Sequence, residues 1–164
     1  MLILKKTTGF FELQVRSFAK MKLDTLKFGV VEVDDSLLFN FLEPVLGYEH
    51  LKQFVLIDYD TDSPFKWLQS VEDMNVSFPV TIPALFGINY TFTVPEYLIK
   101  LIELDSIQDV LTLNIVNIPK GKPEDSTVNL LAPIVINISN KSAIQMVLQD
   151  GDYPVRQKLF KEGI

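Results

Sequence analysis

The sequence contains no cysteine, which removes disulfide cross-links, thiolate metal sites and thiol nucleophiles together. That absence suits a reducing compartment. It has a single histidine, His50, so no histidine cluster can be built for zinc or iron. A Ser-His-Asp arrangement would have to use His50, and no serine lies in a Gly-X-Ser-X-Gly turn. Beside Glu49 in a turn-like segment, His50 reads as a solvated side chain. The seven glycines are scattered and form no phosphate-cradling loop. Long apolar runs are missing too. The longest, Leu130 to Ile136, falls far short of the roughly 20 residues a membrane helix needs. Leu2, Ile3 and Leu4 precede two lysines and are too few for a signal-peptide core. The expectation is a soluble, cytoplasmic protein with no membrane partner. In that setting the four Asn-X-Ser/Thr sequences at Asn75, Asn89, Asn137 and Asn140 carry no glycosylation meaning.

What is present is an ordinary globular composition. A length of 164 residues fits one domain with a real core, and 48% hydrophobic with 22% charged residues gives no sign of disorder. The charge is unevenly placed. Residues 1–27 carry six basic and two acidic side chains, residues 28–118 three and fourteen, and residues 119–164 six and five. The central body is therefore at −11, which the overall −6 conceals. Such a body repels phosphate backbones and attracts basic surfaces, so direct nucleic-acid binding is disfavoured. Solubility alone is the plainer meaning of the same charge.

Short runs rich in Val, Ile, Phe and Thr, punctuated by Pro, Gly, Asn and Asp, predict a mostly β, single-domain antiparallel β-barrel or sandwich with one or two short helices. The expected strands are Lys27–Val33, Ser36–Phe41, Phe54–Tyr59, Phe65–Ser70, Val76–Val80, Tyr90–Val94, Val110–Ile118, Ser126–Leu131, Ile134–Ile138 and Ala143–Leu148. Within Phe65–Gln69 the odd positions read Phe, Trp, Gln, an imperfect alternation with one wet end. A helix is signalled where Thr93 can cap, Pro95 fits the first turn and Glu96 completes a capping box. Leu98, Leu101 and Ile102 form its apolar stripe, which is expected to close one end of the barrel. A shorter helical turn is expected around Glu49–Gln53. In the first twenty residues Phe11, Leu13 and Val15 alternate as in a strand, while Phe11, Val15 and Phe18 also fit a helical face. The strand is preferred. The domain plan is an N-terminal extension over 1–20, a barrel domain over 21–157 and a tail over 158–164.

Carboxylates are the one abundant reactive group. Asp58, Asp60 and Asp62 open like a calcium loop, but the sixth position is Ser63 and the twelfth is Gln69. The loop also runs into Pro64 and a strand instead of a helix, so a solvated acidic turn fits better. A carboxylate-pair hydrolase has no distinguished pair among the fourteen central acids. No metal, cofactor or small-molecule substrate is expected.

Six strings carry a resemblance. They are FGVVEV at 28–33, LGYEHLKQFVLI at 46–57, DSPFKWLQS at 62–70, FPVTIPALF at 78–86, NLLAPIVIN at 129–137 and QMVLQDGDYPVR at 145–156. In this order they resemble the FliW family of flagellar assembly factors over roughly Met21 to Arg156. In NLLAPIVIN, Pro133 cannot donate to a ladder and marks an edge, a bulge or a strand start. Ile134 and Ile136 face one way and Val135 the other. Two departures stand out. The family's Gly-Leu-Pro-Gly-Phe-Glu type turn is replaced by Glu43-Pro44-Val45-Leu46-Gly47-Tyr48-Glu49, and residues 1–20 precede the usual start, which matches Met21.

The resemblance implies a non-enzymatic, chaperone-like bacterial protein with two partners, flagellin and the RNA-binding translational repressor CsrA. Flagellin held in the cytoplasm would sequester it. After flagellin export it would bind CsrA and relieve repression of flagellin translation. The runner-up is a flagellin-specific chaperone without the CsrA link, followed by the carboxylate-based hydrolase. An acidic partner would be steered to a basic RNA-binding surface and would raise the cost of bringing phosphates there. Candidate partner residues fall into two clusters. Asp58, Asp60, Asp62, Glu72 and Asp73 flank the Phe65–Ser70 strand and are expected to crowd one rim. Asp150, Asp152, Tyr153 and Arg156 lie on an exposed turn interrupted by Gly151 and Pro154. Trp67, the only tryptophan, reads first as core and second as an interface anchor.

Overall fold

A computed structural model describes residues 2–5 and 19–160. The strands are β1 (Leu2–Lys5), β2 (Lys20–Thr25), β3 (Gly29–Asp34), β4 (Leu38–Glu43), β5 (Gln53–Ile57), β6 (Lys66–Ser70), β7 (Ser77–Thr81), β8 (Thr91–Val94), β9 (Val110–Asn117), β10 (Thr127–Val128), β11 (Ile134–Asn137), β12 (Ser142–Gln145) and β13 (Gln157–Lys158). The one α-helix among the described residues is α1 (Glu96–Leu101). Strands β11, β12, β4, β5, β6, β7 and β9 pair in that order, and β9 pairs back to β11, so seven strands close into a barrel. Every joint is antiparallel except β12–β4, which is parallel and carries a register shift between Ala143 and Ile144. Closure leaves these seven strands without a free edge, the liability an open sheet must otherwise manage.

The lumen follows from strict alternation. Phe39 and Phe41 of β4, Phe54 and Leu56 of β5, and Leu68 of β6 point inward, with Leu113 of β9, Ile134 and Ile136 of β11 and Ala143 of β12. Cross-strand register puts them side by side, as in Phe39 opposite Phe54 and Leu113 opposite Ile134. Each such side chain removed from water contributes roughly 1.5–3 kcal/mol. Ile134 and Ile136 therefore face the lumen and Val135 does not, and Pro133 immediately precedes β11 as a strand start.

The outward faces are apolar as well, so the wall needs cover on two sides. The β2–β3 hairpin lies over β5 and β6, packing Leu23 and Val33 on Val55 and Ile57. The second flank joins Val135, Ile144 and Val116 of the wall to Phe92 and Val94 of β8 and to Leu98 and Ile102 of α1. The helix thus packs on the outside of the wall, where the sequence reading had it closing an end of the barrel. Its stripe is narrower than expected, because Leu101 stays 40% exposed.

Other departures have local causes. Thr93 does not cap α1; it belongs to β8, and Pro95 occupies the cap position with no side-chain bond. Glu49–Gln53 forms no helix. Tyr48 N donates to Val45 O and Leu51 N to Tyr48 O, giving successive turns that feed β5 directly. The expected strand Lys27–Val33 is the second half of a hairpin, since Gly29 takes a positive φ of 67° and the chain reverses there. The first half, β2, was missed because its buried positions Leu23 and Thr25 are interleaved with Lys20, Lys22 and Asp24. Gln69 is not a wet strand end. It is fully buried, and its Nε2 donates to Ser70 O and Val76 O, organising the turn after β6. Phe11, Leu13 and Val15 lie outside the described residues; residues 2–5 form β1, which pairs with β8.

Candidate functional site

The structure divides the expected acidic rim. Asp58, Asp60 and Asp62 lie in the loop between β5 and β6, whereas Glu72 and Asp73 lie in the turn between β6 and β7. The length of β6 separates them, roughly 15 Å at strand rise. They cannot crowd one rim, because a single strand carries its two flanking loops to opposite ends of the wall.

The carboxylates also differ in what they do. Glu72 accepts backbone N–H groups of Lys52 and Gln53, the latter at 2.8 Å, and so ties the β6–β7 turn to the start of β5. Asp73 accepts from Asn75 N and Nδ2 at 2.9 Å, and these bonds hold its carboxyl below the ordinary range, the backbone bond first. Asp58 pairs at 2.6 Å with Lys66, whose side chain is only 4% exposed. Asp60 accepts from Asp62 N in a local turn. Among the described residues the Asp62, Asp150 and Asp152 side chains have no intramolecular partner.

Trp67 belongs to an aromatic surface on the outer wall. It is half-buried on the outer wall of β6, paired across the sheet with Ile57. Phe28 meets it edge-on at 5.6 Å, and Lys27 Nζ sits 3.9 Å over its ring. Phe28 in turn packs at 4.7 Å on Tyr59, which stands between Asp58 and Asp60 and is 69% exposed. Leu26, 70% exposed in the turn of the β2–β3 hairpin, instead reaches the β6–β7 turn, its N–H donating to Met74 O at 3.0 Å. Trp67 is therefore half packed into the wall and half open on its outer face. Phe28 and Tyr59 were not legible in the sequence as members of this cluster. Their only sequence signal is large apolar side chains next to turn residues, and their convergence depends on the hairpin folding over β6.

The second cluster sits on the other flank. Gly151 has a φ of 96°, and a Cβ there would come within 3.0 Å of the Tyr153 ring. Glycine lets the chain reverse so that the ring tucks edge-on against Tyr90 at 5.1 Å and the hydroxyl donates to Thr91 O. Tyr153 is a structural pin more than a free contact. Asp150, Gly151 and Tyr153 line a groove of about 340 Å³ whose other wall is Thr91, Phe92, Thr93 and Pro95. Asp152 and Arg156 are exposed outside it.

For catalysis the arrangement provides little. The carboxylates with a resolved titration shift are Asp34, Glu49 and Asp73, and all three shift down through hydrogen bonds. A general acid needs the opposite shift, produced by burial or a neighbouring like charge. His50 lies exposed in the turn before β5. Among the described residues no group of His, Asp and Glu side chains is placed to hold a metal ion. No helix among them is long and apolar enough to cross a membrane.

Comparison with known proteins fits this fold. Residues 22–159 match the family model described as FliW protein. Three relatives carry the name flagellar assembly factor FliW. The Thermotoga maritima protein is 38% identical over 83% of this chain and 91% of its own length. The Caldicellulosiruptor bescii protein is 40% identical over 82% and 87%, and that of Caldanaerobacter subterraneus subsp. tengcongensis 35% over 87% and 95%. A solved structure titled as the flagellar assembly factor FliW superposes with a TM-score of 0.80 at 28% identity, covering 88% of this chain and all of that one.

Proposed function

The chain belongs to the FliW family of flagellar assembly factors, and from that premise we propose that it acts as a cytoplasmic partner-switching protein that binds CsrA and flagellin in turn. Bound to CsrA, it relieves repression of flagellin translation. Bound to flagellin, it acts as a chaperone and is withdrawn from CsrA. Neither step is catalytic.

The observation that carries this reading is the acidic loop Asp58–Asp62, which bears the exposed Tyr59 packed on half-buried Phe28 and, through it, on half-buried Trp67. Exposed aromatics supply contact area at low entropic cost, and the surrounding carboxylates steer a basic partner. CsrA must present a basic surface to RNA. Docking beside that surface places negative charge near incoming phosphates, so RNA is excluded without overlap of the two sites.

The test is a competition pull-down with purified CsrA and flagellin, run with the native chain and with Asp60→Asn/Asp62→Asn. The native chain is expected to bind each partner and to exchange between them. The variant is expected to retain its fold and to lose RNA exclusion at low salt. Binding of flagellin alone would leave the flagellin-chaperone reading, and binding of neither would end both.

A further inference from the structure

Strand β8 is not part of the barrel, and its only strand partner among the described residues is β1. The register runs Leu2 opposite Val94, Ile3 opposite Thr93, Leu4 opposite Phe92 and Lys5 opposite Thr91. Phe92 and Val94 belong to the second-flank core, with exposures of 6% and 1%. Positions 2 and 4 are the register partners of these two core residues. Both are leucine. Position 5 lies opposite Thr91, which lines the groove with Asp150, and it is lysine followed by Lys6. Apolar residues two apart, followed by basic ones, match what this edge presents. The strand that supplies them lies outside the residues matched to the family, which start at 22.

We infer that the β8 edge is a strand-acceptor site, occupied in cis by β1, and that its ligand in trans is an extended partner segment of apolar-X-apolar-basic type lying antiparallel to β8. An unpaired edge offers main-chain donors and acceptors for affinity, and the alternating pockets beside it give specificity. Being on the same chain, β1 competes at an effective concentration on the order of millimolar. The cis strand therefore lowers the apparent affinity for any external segment by the fraction of time the edge is free. A partner engages only if its segment outcompetes β1. This site is separate from the acidic and aromatic surface around Tyr59, and the inference does not depend on who the partner is.

The test uses the full chain, a synthetic peptide Met-Leu-Ile-Leu-Lys-Lys, and amide hydrogen exchange resolved at Phe92, Thr93 and Val94. An Ile3→Pro/Leu4→Pro variant removes β1 pairing whichever of the two N–H groups bonds to β8. In the native chain the β8 amides are expected to be protected and the peptide to bind weakly. In the variant the amides that bond to β1, alternate ones along β8, are expected to lose protection and regain it with peptide, and the chain to bind peptide at least about tenfold more tightly. A peptide of the same composition with lysines between the leucines is expected not to bind. Unchanged Trp67 fluorescence reports that the variant is folded. If it is not, excess peptide on the native chain is expected to strip protection from Ile3 and Leu4. Protection of β8 that persists in the folded variant, or equal peptide affinity in both chains, would overturn the inference. Protection in the native chain that falls on dilution would assign the strand to a second copy and overturn the cis arrangement.

Discussion

The two ends of β6 carry similar charge and use it differently. In the turn that follows β6, Glu72 and Asp73 are bound into the backbone, one joining two strands and the other closing the turn on Asn75. In the loop that precedes it, Asp58 pairs with a buried lysine, Asp60 shapes the loop, and Asp62 is left to solvent. A run of carboxylates is thus no guide to a binding surface until each oxygen's partner is known. The ones available to another protein are those with nothing to hold at home.

The largest effect is expected at the Asp58–Lys66 pair. Asp58→Ala should lower stability by about 2 kcal/mol, because a buried ammonium loses a charged hydrogen-bond partner. The side chain of Asp58 is 42% exposed, so water already shields part of the pair and a larger loss is not expected. Adding Lys66→Met should restore most of the urea midpoint, since an apolar residue of similar shape removes the buried charge as well as its counter-charge. No recovery would show that the pair is not what holds this end. Next, Glu72→Ala should cost about 1 kcal/mol, as two backbone N–H groups turn to water instead. A midpoint identical to the native one would erase the contrast between the two ends.

Asp73 sharpens the same contrast through pH. Its folded carboxyl titrates below the ordinary 3.8, so its stabilisation is fully present above that value and is lost as pH falls through the lower folded one. The melting-temperature advantage of the native chain over Asp73→Asn should therefore hold at neutral pH and vanish in strong acid. An advantage that grows on acidification would reverse the sign. The smallest stability effect belongs to Asp62→Asn and Asp150→Asn, each expected within about 0.5 kcal/mol. Their effect should appear instead in partner binding, as a weaker and less salt-dependent complex.

Much of the barrel was legible. The inward alternation of Phe39 and Phe41, of Phe54 and Leu56, and of Ile134 and Ile136 is a period-2 signal strong enough to survive irregular turns. β2 was not, because lysines at alternate positions hide a half-buried strand. The cap at Thr93 was misread because β8 claims that residue for its ladder with β1, and a strand's main-chain bonds outweigh a local capping pattern. The Asp58–Asp62 loop was recognised as acidic, but the sequence could not tell it from Glu72 and Asp73, whose bonds reach back to Lys52 and Gln53 across the sheet.

Composition and order alone determined that this is a cysteine-free β protein with an acidic centre and no histidine cluster, and the strings of residues determined its family. These are properties of local pattern, carried by neighbours in the chain. Only the tertiary structure decided which carboxylates are free, that Phe28 and Tyr59 meet over Trp67, and that an N-terminal strand closes the β8 edge. Each of those depends on contacts between residues far apart in sequence, and such contacts exist only once the barrel has closed and its two outer walls have been covered.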